Sequence, residues 1–161
     1  WKSYVGSFLD ENFLIDFLTP DEYFAFVGKL YNKSEGDISA FLEKFSEFFN
    51  GEVTGNKKLI RELSKGNQKK TGIAAALLGD PQILILDEPF TALDPSSQIR
   101  LKRILNELQE TKNTTMLISS HDLNNVTEVC KRTVVLEKGK VVRDIATSDD
   151  TLKELESYFA V

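Results

Sequence analysis

Three short segments of this 161-residue chain hold residue types suited to phosphate chemistry. The densest is ILILDEPFTALDP, Ile83 to Pro95. A hydrophobic run that ends in two acids puts Asp87 and Glu88 at the carboxyl end of a strand, the edge of an α/β sheet where ligands bind. Two carboxylates on so rigid a mount can support a divalent cation through one and polarise a water through the other. An Asp-Glu pair after a strand is otherwise often a helix N-cap or a solvated turn. Pro89, the TALD segment with Asp94, and Pro95 sharpen the chemical reading.

The second segment is ELSKGNQKK, Glu62 to Lys70, opening an alanine-rich run, GIAAALL. Ser64 is a plausible N-cap, and Gly66 lets a phosphate approach the backbone closely. A helix N-terminus with free amides and a serine hydroxyl is a ready anion site. Standing alone, the segment would read as a plain helix cap with a basic first turn. The third segment is TTMLISSHDL, Thr114 to Leu123, which carries His121, the only histidine in the chain. A lone histidine is usually a surface or satisfied core residue. This one follows a predicted strand neighbouring the acidic one, which places it on the same edge and within reach of a phosphate.

The elements that must carry these residues are legible from periodicity and punctuation. TPDE at Thr19 to Glu22 is a helix start, with Thr19 as cap, Pro20 at the first helical position and Glu22 completing a capping box. Tyr23, Val27 and Leu30 then share a face. A second helix carries Ile38, Phe41, Leu42, Phe45, Phe48 and Phe49 at spacings of three and four. That wide aromatic face predicts core packing; docking of a partner helix is the sharper alternative. Ile83 to Leu86 is a short apolar run, as expected of a buried parallel strand. Ser96 to Glu110 predicts a helix with Ile99, Ile104, Leu105 and Leu108 inward. A strand at Thr115 to Ser119, a short helix at Asp122 to Cys130, a hairpin of Val134 to Leu136 with Val141 to Ile145 around EKGK, and a helix from Asp150 to Phe159 complete the order. The alternation predicts an α/β layer with a helical segment placed before it.

Bulk properties narrow the class. With 41% hydrophobic and 28% charged residues, and eleven phenylalanines against four prolines, the chain has the makings of a substantial core. A formal net charge of -5 gives no general attraction to nucleic acid or anionic lipid, so no nucleic-acid partner is expected. One cysteine, Cys130, excludes an internal disulfide framework and fits a reducing compartment. The apolar runs fall far short of the roughly 20 residues that span a bilayer. No basic-then-apolar leader opens the sequence WKSYVGSFLDEN, so any membrane role is expected to come through a partner. Beginning at Trp1 without methionine, the chain is expected to be part of something longer.

Taken together and in order, the segments closely resemble the ABC (ATP-binding cassette) ATPase family: signature LSKGN, Walker B strand ILILDE, D-loop TALD and H-loop SSHD. The resemblance organises nearly the whole chain and implies an α/β, P-loop NTPase-like fold, with ATP and Mg2+ as cofactors. It divides the chain into a Q-loop region and strand end at 1–18, a helical subdomain ending in the signature helix at 19–80, and a core α/β portion at 81–161. It implies that Asp87 supports magnesium, usually through water, and that Glu88 is the general base or water-orienting acid. His121 would contact the γ-phosphate, Asp94 would lie across a dimer seam, and Ser64 and Gly66 would bind the γ-phosphate of ATP held by a second ATPase domain. VGSFLDENFLIDFLTPDEYFAFVGKLY resembles the Q-loop entry, with Asp10 where the family usually has glutamine. An acid there can still approach magnesium or a water, although the amide contact is lost; otherwise Asp10 is an exposed loop acid. Lys65 and Asn67 replace a glycine and a glutamine of the usual signature, and Lys65 adds positive charge beside a phosphate site. Such a signature suits a bacterial exporter-like subfamily.

A working P-loop needs GxxxxGK[ST]. The Gly-Lys pairs, Gly28-Lys29 and Gly139-Lys140, have neither the following hydroxyl nor the preceding glycine, and GEVTGNKK at Gly51 to Lys58 reads as a loop between helices. The chain is therefore expected to contain the water-activating acid and the signature but little of the pocket that grips nucleotide. The sheet should also be short of strands, with an open apolar edge. The resemblance implies part of a transport ATPase, cytoplasmic and peripheral on the inner face of the membrane through transmembrane permease subunits. The alternatives are a ribosome-associated or DNA-maintenance ATPase, or a non-catalytic fragment. The short interval before the signature and the absence of extended heptads, of a second cassette and of a charged linker weigh against the first two. Retention of Glu88 and His121 weighs against the third.

Overall fold

The computed structural model describes residues 3–55 and 57–160. Trp1 and Asn56, the latter inside the Gly51 to Lys58 segment read as a loop, lie outside the described residues. The chain divides into two compact units, one running to Ser119 and one from Ser120 onward.

The first unit is built on a three-stranded parallel sheet in the order β1 (Val5–Phe8), β2 (Ile83–Asp87), β3 (Thr115–Ser119). The register sets Phe8 against Leu86 and Asp87 against Ser119, so all three strands deliver their carboxyl ends to one edge. Between β1 and β2 lie α1 (Pro20–Leu30), α2 (Glu35–Lys44), the single turn α3 (Ser46–Phe49) and α4 (Lys65–Leu77); α5 (Pro95–Lys112) joins β2 to β3.

The expected capping box at Thr19 is present: the Thr19 amide donates to Glu22 at 2.8 Å and the Glu22 amide to the Thr19 hydroxyl at 3.3 Å. An analogous pair, Ser34 with Asp37, starts α2. The aromatic face packs inward. Phe48 and Phe49 are 1% exposed, and Phe45 stacks against Phe41, Phe48 and Phe49, with Phe24 of α1 against Phe49. Rings so enclosed are not offered to a partner helix. Exposed aromatics stand elsewhere, at Phe13, Phe17 and Phe26.

Helix α4 is the axis of the unit. All ten residues from Gln68 to Leu77 are buried, and the helix touches β1, β2, α1 and α3. The covered side of the sheet holds Phe8, Leu84 and Leu86; the side bearing Ser7, Ile85 and Leu117 is open, with Leu117 two-thirds exposed. The run Ile83 to Leu86 is therefore buried alternately, as in a sheet covered on one side. Two further expectations fail on geometry. Ile99 faces outward because α5 buries Leu101 and Leu105 instead, and Leu30 at the end of α1 lies beyond the packed face.

A charged tie fastens the turn before β2. Asp80, in left-handed conformation, accepts from Lys33 at 2.8 Å and Lys112 at 2.5 Å, linking the connection between α1 and α2, the end of α5 and the turn. Partial burial pushes its carboxyl up, but the two ammonium groups outweigh this and leave it below its ordinary value. A folded value below the unfolded one means stability that is present at neutral pH and lost as pH falls through the folded value. Water screens these half-exposed pairs, so Asp80→Asn should cost only about 1 kcal/mol at pH 7. The difference should close at a pH low enough to protonate the folded carboxyl. Denaturant titration of parent and variant at both pH values checks this; equal stability at pH 7 would refute it.

The second unit holds α6 (Leu123–Val129), an antiparallel hairpin of β4 (Arg132–Glu137) and β5 (Lys140–Ala146), and α7 (Thr151–Phe159) packed on α6. Lys138 and Gly139, both at positive φ, make the two-residue turn expected at EKGK. Arg132 clasps Asp144 across the hairpin at 2.6 and 2.7 Å.

Candidate functional site

The carboxyl edge of the sheet places the acids on one platform. Asp87, the last residue of β2, is exposed, and one of its oxygens accepts from the Ser119 hydroxyl at the end of β3. Two residues past the end of β1, Asp10 accepts from the Asn12 amide at 2.7 Å and so caps the short 3-10 turn Glu11–Phe13. One well-placed carboxylate fits magnesium, which takes one or two carboxylates together with substrate phosphates and retains waters. No group of three or more His, Cys, Asp or Glu side chains converges among the described residues. The donor set thus fits a magnesium ion arriving with phosphates, held by Asp87, rather than an all-protein cage.

Glu88 follows in an uncommon backbone state, with φ of 45°. Left-handed geometry in a non-glycine residue costs on the order of 1 kcal/mol and persists only when its surroundings fix it. Here both peptide groups are held. The Glu88 amide donates to the Ser119 carbonyl at 3.2 Å and hydroxyl at 3.1 Å. The Glu88 carbonyl accepts from Lys69 Nζ at 2.8 Å and from the Thr91 hydroxyl at 2.9 Å.

The second platform is the start of α4. The Ser64 hydroxyl accepts from the Asn67 amide at 3.2 Å, which makes it the cap that the sequence suggested. A pocket of about 350 Å³ opens beside it, lined by Ser64, Gly66, Asn67, Lys70, Ala92 and Asp94 among others. Gly66 is forced here by a contact that sequence reasoning did not foresee: a Cβ at this position would stand 2.7 Å from the Ala92 carbonyl oxygen. Asp94 caps α5, accepting from the Ser97 amide at 3.0 Å and from both the Ser96 and Ser97 hydroxyls. These donors hold its carboxyl well below the ordinary value. The LSKGN and TALD segments thus meet in one pocket, while Lys65 is exposed at the helix start.

His121 stands exposed at the opening of the second unit, beside Asp122, which caps α6 through the amides of Asn124 and Asn125. Sequence reasoning missed Lys69, Lys70, Thr91 and Ser119. The two lysines figured there only in the alternative of a plain helix cap with a basic first turn. They are 5% and 2% exposed, and Lys70 Nζ lies 3.8 Å from Asp94 and 3.9 Å from Glu52. The signal was present, since the apolar run GIAAALL gives the following helix no polar face on which they could ride.

The family described as "AAA domain, putative AbiEii toxin, Type IV TA system" matches residues 5–127. The uncharacterized ABC transporter ATP-binding protein YhaQ of Bacillus subtilis is 34% identical over 155 residues, covering 96% of this chain and 50% of that protein. The energy-coupling factor transporter ATP-binding protein EcfA2 of Ligilactobacillus salivarius is 32% identical over 133 residues, covering 83% of this chain and 44% of that protein. The chain thus spans half or less of the length of these two relatives. Among solved structures, the ATP-binding cassette MJ0796, dimeric and bound to ADP and Pi, superposes with a TM-score of 0.76 at 24% identity, over 90% of this chain and 63% of that one. Part of the cbiONQ transporter complex, cbiO1 from Clostridium perfringens, gives 0.73 at 24% identity, over 99% and 63%. These two likenesses concern the fold.

Proposed function

Because this chain belongs to the ABC transporter ATP-binding proteins, with an AAA-type domain match over residues 5–127, we propose that it supplies the hydrolytic acid and the signature element of an ATP-driven transport subunit. The observation that carries this reading is the single pocket in which Ser64 and Gly66 of the signature meet Asp94 of the D-loop. A helix N-terminus with a serine hydroxyl and a glycine faces anions favourably, and Lys65 adds charge at the same end.

In this reading each residue has a physical task. Asp87 would hold magnesium, which when bound would offset phosphate charge. Glu88 orients the attacking water and takes its proton, with the Ser119 link keeping the two acids in register. Ser64 and Gly66 meet the γ-phosphate of ATP held by a second ATPase domain, and Asp94 keeps the intervening loop at the seam. By the family resemblance His121 contacts the γ-phosphate of the nucleotide on which Glu88 acts, and Asp10 approaches the magnesium or its water from the end of β1. The membrane subunits give the assembly its place on the inner face of the membrane; no helix among the described residues is long and apolar enough to cross one. The exposed Phe13, Phe17 and Phe26 serve as the contact for them, a role the enclosed Phe45, Phe48 and Phe49 cannot fill.

These 161 residues contain no GxxxxGK[ST], so the chain alone should bind MgATP with a dissociation constant weaker than about 1 mM. It should release no phosphate unless a P-loop-bearing segment is supplied. Titration calorimetry and a phosphate-release assay check both points; micromolar binding by the chain alone would contradict the division of labour proposed here.

A further inference from the structure

We infer that Lys69 is the positioning residue of the catalytic acid: its ammonium fixes the main chain of Glu88, and through it the carboxylate, in the left-handed conformation that the site requires. The inference rests on the assignment of Glu88 as the water-activating acid and deepens it.

The argument begins with the cost of the lysine itself. An ammonium that is 5% exposed has given up most of its hydration, which is unfavourable unless hydrogen bonds and an opposite charge replace it. Lys69 Nζ has such replacements, and they converge on one place. It donates to the Glu88 carbonyl at 2.8 Å and to the Thr91 hydroxyl at 2.9 Å. It lies 3.4 Å from the Glu11 carboxylate, itself largely enclosed, and 5.6 Å from the centre of the Phe8 ring. The Thr91 hydroxyl in turn donates to the Glu88 carbonyl at 2.9 Å, so two side chains grip the same oxygen.

A residue at φ of 45° relaxes by rotating its peptide planes, and this swings the Cα–Cβ bond with them. The Ser119 bonds restrain the amide side of Glu88; Lys69 and Thr91 restrain the carbonyl side. Lys69 is the stronger of the pair because it is charged and because it projects from the stretch of α4 that is buried at every residue, Gln68 to Leu77. Glu11 extends the connection to the turn capped by Asp10. The position of the acid after β2 is thereby tied to the loop after β1.

The test uses the complete ATPase subunit. Lys69→Met is expected to lower kcat by about 30-fold, in line with the loss that a misplaced catalytic group produces. The MgATP dissociation constant should stay within about twofold, since the lost contact acts on the acid rather than on bound nucleotide. Lys69→Arg, which retains a charged donor, should recover kcat to within about fivefold of the parent. The decisive readout is the double variant. If Lys69 acts through Glu88, adding Lys69→Met to Glu88→Gln should change the residual rate by less than about twofold, because residues that act as a unit are not additive. An undiminished loss in the Glu88→Gln background would overturn the inference, as would a Lys69→Met enzyme with kcat within about threefold of the parent. Should Lys69→Met fail to accumulate folded, Thr91→Val carries the test, with an expected fall of about fivefold in kcat at unchanged ATP affinity. No fall in that variant would also overturn it. Near-normal turnover by Glu88→Gln alone would instead remove the assignment of Glu88, a result separable from every outcome for Lys69.

Discussion

Glu88→Gln in the complete ATPase subunit should leave MgATP binding within about twofold of the parent and lower turnover by about 10²- to 10⁴-fold, the usual worth of a positioned acid or base. The substitution retains shape and hydrogen-bonding capacity and removes only the ability to take a proton. The restraints on this residue engage its backbone amide and carbonyl, so they persist in the variant. Folding and the left-handed turn should therefore survive, and the deficit should appear in the chemical step. Equilibrium binding with a fluorescent ATP analogue, set beside single-turnover hydrolysis, separates the two quantities. Turnover near the parental rate would remove Glu88 from its role and leave the lesser acids of the edge, Asp87 and Asp10, to be tested in its place.

Gly66→Ala should be nearly as damaging for a different reason. The new methyl would stand 2.7 Å from the Ala92 carbonyl oxygen and 3.9 Å from Leu93 Cδ2. The first contact is with backbone, which has no rotamer by which to withdraw. Ala92 is itself held at φ of 61°, and Leu93 is fastened through its carbonyl to Gln98. Either the loop or the start of α4 has to move, at a cost of about 1–3 kcal/mol in stability. Motion of either separates Ser64 from Asp94 and opens the pocket they share. ATP-dependent association of two copies should weaken in step, with turnover down by about 10²-fold. Thermal unfolding measures the first effect, and light scattering in the Glu88→Gln background measures the second. Full-strength association with an unchanged melting temperature would contradict the close packing on which this prediction stands.

What could be read in the amino-acid order follows a physical division. Local chemistry was legible: the Thr19 and Ser64 caps, the two-residue turn at Lys138-Gly139 and the strand ending in Asp87 all depend on neighbours within a few positions. Partnerships across long intervals were not. Lys69 and Thr91 are 22 residues apart and Asp87 and Ser119 are 32 apart, and nothing in either segment names the other. The same limit explains the misplacement of Ile99. Its spacing suits an inward face, but the face that α5 buries is chosen by what packs on it, and Leu101 and Leu105 win. The aromatic cluster was ambiguous between core and docking surface because periodicity reports a face without saying what covers it.

Helix α4 has a mechanical consequence. Most helices keep one side in water, and along that side they can roll or slide by small amounts with little penalty. A helix enclosed for ten successive residues has no such side. A push delivered at Ser64 cannot be absorbed by rotation of the rod and passes along its length to β1, α1 and α3 together. Amide protons along this rod should therefore be among the last in the chain to exchange with solvent.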